Sequence, residues 1–282
     1  MTGTQDPSFE RNAITTYRYL RLAIVVVVVA LWVGVFVEYA KDDCLQRSLS
    51  ADHHTPVHAL FIGAMMTIGV CLIVIKGRTG LEDTLLNLAG VLALVVAFVP
   101  TTVDVRRGTQ QPLCTSSPLV MPRPDRFIAN NLLALAVGGV IAIAVAYGIA
   151  SVRKITVMTA PGRVGRIGFG LLAALLIVGV VLYHTNHGWF MDNAHGVSAV
   201  VMFIVFGMIV VYSARTSTSP LARTLYTVIA GLMAFGAVVG VLARSADHAV
   251  LLLEIIEIGL FALFWIVATI ENWGTGARAI TD

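Results

Sequence analysis

A chain of 282 residues that is 57% hydrophobic and only 12% charged, with a mean hydropathy of +0.86, is too poor in charge for a soluble domain, where about a quarter of residues are charged. The formal charge of +3 comes from basic residues scattered through short polar segments, which excludes a nucleic-acid surface. These proportions point to a bilayer as the solvent.

The apolar residues fall in blocks near the ~20 residues needed to cross a hydrocarbon core. They predict an all-α, polytopic transmembrane helical bundle of about eight spans, near 18–38, 57–75, 84–101, 128–150, 168–185, 195–213, 224–243 and 249–270. A cytoplasmic segment, 1–17, precedes this single transmembrane domain, 18–270, and a cytoplasmic tail, 271–282, follows it. The first apolar run, Leu22 to Val37, leads into Glu38-Tyr39-Ala40-Lys41 and not a small-residue cleavage site, so it is predicted to stay as a signal anchor. Arg11, Arg18 and Arg21 ahead of that span place the N-terminus in the cytoplasm. Inner segments then carry twelve basic residues and outer segments seven, four of these in one loop. Sixteen of the nineteen basic residues are Arg, and the spans are built from Ala, Val, Leu and Gly. That bias suggests a GC-rich bacterial genome, and so a bacterial inner (plasma) membrane with both termini cytoplasmic.

Only the outer loops 39–56 and 102–127 are long. Each holds a cysteine, Cys44 and Cys114, for which an outer compartment permits a disulfide; the alternative is two unpaired thiols. Cys71, inside the second span, reads as a packing residue. The second and sixth spans open on His58 and His195 and close on Arg78-Thr79 and Arg215-Thr216, twenty residues on in each case. This register fits a 4+4 parallel internal repeat; coincidence in a low-complexity apolar alphabet is the other reading.

All seven histidines, and ten of the sixteen acids, fall at the outer end of this threading. His184/His187, Asp192/His195 and Glu254/Glu257 are each three residues apart, which puts each pair on one helix face. Glu254 and Glu257 sit roughly 8 and 12 Å below the start of the last span, a depth at which acids are paired, protonated or turned to a wet cavity. An outward-facing polar pocket of Glu254, Glu257, His195, His187 and Asp192, binding or helping to move a lipid-like or small polar ligand, is the first functional expectation. No cofactor is required by it. His184, His187 and His195 could alternatively hold zinc, making a metal-dependent hydrolase or transferase acting on lipid at the outer face. No HExxH and no Gly-x-Ser-x-Gly element accompanies them, and catalytic residues are not identifiable. The third expectation is a structural or accessory subunit with protein partners in a membrane complex.

The segment Ser48-Leu49-Ser50-Ala51-Asp52-His53-His54-Thr55-Pro56, with His58-Ala59-Leu60-Phe61-Ile62-Gly63-Ala64 after it, resembles the first loop and second span of the uncharacterised bacterial DUF998-like membrane proteins, similar in style to the FRAG1/DRAM/Sfk1 group. Phe98-Val99-Pro100-Thr101 and His195-Gly196-Val197-Ser198-Ala199 fit the same pattern. The Asp-His-His stretch and two extra C-terminal spans depart from it. The resemblance implies lipid organisation or handling, and it supplies no catalytic residues.

Overall fold

The structure, a computed structural model, describes residues 7–101, 124–153, 163–243, 246 and 248–273. Apolar runs broken by Pro, Gly and charged turns fold as α-helices, and no strand occurs among the described residues. In chain order these are α1 (Pro7–Asp42), α2 (His58–Val74), α3 (Gly80–Phe98), α4 (Pro124–Arg153), α5 (Arg163–Thr185), α6 (His187–Thr216), α7 (Pro220–Leu242) and α8 (Ala249–Glu271). A 3₁₀ helix, Leu49–His54, lies between α1 and α2. Five helices, α1, α3, α6, α7 and α8, are long and apolar enough to cross a membrane. The other three expected spans coincide with shorter apolar stretches, His58–Val74, Arg126–Ile141 and Gly170–Thr185.

Six helices close a ring: α1, α2, α3, α6, α7 and α8 each pack on the next, and α8 returns to α1. α5 leans on α3 and α6, and α4 on α3, outside the ring. In α1 the inward stripe is Ile24, Val28, Leu31 and Val35, while Val26, Val29, Val33 and Phe36 are exposed. Glycine sets the tightest crossings. A Cβ on Gly90 of α3 would stand 2.7 Å from the Gly69 carbonyl of α2, and one on Gly69 would stand 2.8 Å from the Gly90 carbonyl. On α7, Gly236 and Gly240 form a small-xxx-small stripe against Glu257 and Leu253 of α8.

The halves do not pack alike. A twofold exchanging α1–α4 with α5–α8 would map the α3–α6 contact onto α7–α2 and the α1–α8 contact onto α5–α4. Neither of these is a packed pair among the described residues.

Helix ends sort by chemistry. The end holding the start of α1 carries ion pairs. Lys76 meets Asp83 at 3.0 Å and Arg78 meets Glu82 at 3.1 Å. Arg78 also donates to Ser213 of α6 at 3.0 Å. Glu271 of α8 accepts from Ser217 and Tyr226 at 2.5 and 2.7 Å, and Arg18 lies over the Trp273 ring at 4.4 Å. At the opposite end lie all seven histidines.

Candidate functional site

The histidine end is assembled around the loop that leaves α1. Three contacts lock residues 46–49 to the start of α8, about two hundred residues away in sequence. His248, in a left-handed conformation (φ 61°) at the N-cap of α8, donates from Nδ1 to the Gln46 carbonyl at 3.1 Å. Leu251 N–H, unpaired within its own helix turn, donates to the Arg47 carbonyl at 3.0 Å. Leu49 N–H donates to Glu254 Oε2 at 2.5 Å, and Ser50 Oγ donates to Oε1 at 3.1 Å. Glu254 therefore ties the 3₁₀ helix to α8.

Beneath this closure lies a cavity of about 40 Å³ inside the ring. Its walls come from α1, α2, α3, α6 and α8, with Phe61, Met65, Met202, Phe203 and Phe206 prominent. Leu49, Ser50 and Glu254 form its histidine-end wall, and among the described residues Glu254 is the only charged side chain lining it.

The second feature is the C-terminus of α3. Pro100 has no N–H to satisfy the helix's last carbonyls, and three imidazoles, two from the 3₁₀ helix and one from α6, reach the carbonyls around it. His53 Nε2 donates to Ala97 at 3.1 Å, His54 Nε2 to Thr101 at 2.8 Å, and His195 Nδ1 to Val99 at 2.5 Å. A carbonyl only accepts, so each of these ring nitrogens carries a hydrogen. The second nitrogens of His53 and His195 are buried with no hydrogen-bond partner. His58 donates to the His53 carbonyl at 2.6 Å, and its ring stands edge-on to His53 at 4.6 Å. Phe127 of α4 packs on both. Burial pushes the His53 imidazole down to about 4, which keeps it neutral. Burial pushes neighbouring Asp52 up to about 7, against the hydrogen bond from Thr55.

No protein family, no curated protein and no solved structure matches this chain.

The residues expected to share a pocket are dispersed. His184 ends α5 and His187 begins α6, with Asn186 as the corner between them, so their spacing of three does not give a shared helix face. The aromatic segment Gly188–Met191 forms the first turn of α6. His184 and His187 are exposed and pack on Tyr183 at 5.4 and 4.9 Å. Asp192 is exposed, whereas His195, three residues on, is buried against α3. Glu254 turns to the 3₁₀ helix. Glu257 turns to Gly236 of α7, with Oε1 buried and unpartnered. Positions three apart differ by about 60° around a helix, enough for two different neighbours. Among the described residues no group of three or more His, Cys, Asp or Glu side chains is placed to hold a metal ion; His184, His187 and His195 are not gathered. Cys44 is disulfide-bonded; Cys114, the partner expected from sequence, lies outside the described residues.

Ser50 and His53 were not among the expected site residues. Both lie in the Ser48–Pro56 segment that carries the family resemblance, and that was the available signal.

Proposed function

We propose that this chain is a multi-pass protein of the bacterial inner membrane, crossing it eight times with both termini cytoplasmic, and that it holds the apolar part of a lipid-like ligand inside its helical ring. The observation that carries this reading is the cavity, apolar along its walls and closed at the histidine end by Glu254 and Ser50. At about 40 Å³ it is well below the roughly 300 Å³ of ordinary small-molecule sites. Binding therefore requires the lining side chains to give way. Methionine, unbranched and soft, suits that role, and Met65 of α2 and Met202 of α6 both line the cavity. A polar pocket of histidines and acids is no longer part of the reading, because those side chains do not converge.

The orientation is supported by the basic residues at the α1 N-terminal end and by the Cys44 disulfide at the other, which an oxidising outer compartment permits. The kinship with the DUF998-like proteins rests on the short motifs quoted above. It agrees with a role in lipid handling, with membrane lipid as partner.

The test is native mass spectrometry of the purified protein loaded with dodecanol. The wild type is expected to retain one dodecanol, and Ala199→Leu, which fills the cavity from α6, is expected to lose it while keeping its helical content. Equal retention by both proteins would sink the reading.

A further inference from the structure

Glu254 sets the chemistry of the head that the cavity can receive. Its two carboxylate oxygens accept from two different donors, the Leu49 N–H at 2.5 Å and the Ser50 hydroxyl at 3.1 Å. Among the described residues no Lys, Arg or His lines the cavity. An anionic head brought to this wall would meet the Glu254 carboxyl and no cation, and would displace both donors without replacing them. An ammonium head carries three N–H donors and can take over both acceptor positions while pairing with the charge.

We propose that the ligand is a long-chain amphiphile with an ammonium head, bound with its chain in the ring and its nitrogen on Glu254, and that fatty acids and anionic phospholipids are excluded. This rests on the cavity being the binding site. The occupant displaces the Leu49 and Ser50 contacts, so its arrival frees the 3₁₀ helix from α8 while the Gln46 and Arg47 ties remain.

Dodecylamine, dodecanol and dodecanoic acid, equal in chain length, separate the possibilities by their bound masses in native spectra. The wild type is expected to retain the amine at least ~10-fold more strongly than the acid, the factor that one favourable charge pair supplies, with the alcohol between them. Glu254→Gln, isosteric and uncharged, is expected to bring the amine down to the level of the alcohol. The wild-type series decides even if that variant folds poorly. Equal retention of acid and amine overturns the ammonium assignment and leaves the cavity reading standing. Retention of none of the three removes both.

Discussion

Asp52 and His53 are adjacent, both almost wholly buried, and burial drives them in opposite senses. Asp52, raised from 3.8 to about 7, keeps its proton in the fold where the unfolded chain has lost it. Its contribution is full below about pH 4 and is lost as pH rises to about 7. His53, lowered from 6.5 to about 4, stays neutral where the unfolded chain takes up a proton. Its contribution is full above pH 6.5 and is lost as pH falls to about 4. The two slopes offset between pH 4 and 6.5, each worth on the order of 3–4 kcal/mol at full extent. Asp52→Asn is expected to remove the acid's own slope: the melting temperature of the variant minus that of the wild type, in detergent, should rise with pH between 4 and 7. A difference that does not change across that range would contradict the burial of Asp52. Glu257 offers a second test at this scale. Its Oε1 is buried without a partner over Gly236, and an unsatisfied buried polar atom costs about 1–3 kcal/mol. Glu257→Met is expected to raise the melting temperature, and a fall would mean that the carboxyl has a partner.

At the scale of elements, the glycine crossings differ in what they can tolerate. A methyl on Gly90 meets the backbone carbonyl of Gly69, which cannot move without shifting α2. A methyl on Gly240 meets the side-chain tip of Leu253, which can change rotamer. Gly90→Ala is expected to destabilise by about 1–3 kcal/mol and Gly240→Ala by less, read as paired melting temperatures. The positions of the helices were legible in the sequence, because hydropathy blocks and polar breaks mark them directly. Their faces were not. In a run such as Val25–Val29 every side is apolar, so no periodicity distinguishes Val28, buried, from Val29, exposed. Pair spacing failed for the same kind of reason. The helix break at Asn186 separates His184 from His187, and a 60° offset separates Glu254 from Glu257. The concentration of histidines at one end was legible, but their use was not. His53 and His195 reach carbonyls of α3 at 44 and 96 residues' distance, and only the fold brings these together.

For the whole molecule, the account joins a closed ring, two chemically distinct ends and one apolar cavity. The sidedness predicts that alkaline phosphatase fused after Arg47 is active and fused after Arg78 is inactive; the reverse pattern would invert the topology. The central claim is that an apolar chain lies inside the ring and not merely against its exterior. Photolabelling with a dodecanol bearing a mid-chain diazirine, followed by peptide mapping, addresses that claim most directly. The account predicts adducts on the α2 and α6 peptides that hold Met65, Met202 and Phe203, which line the cavity. Adducts confined to outward residues such as Val140, Val178 and Phe235 would contradict it.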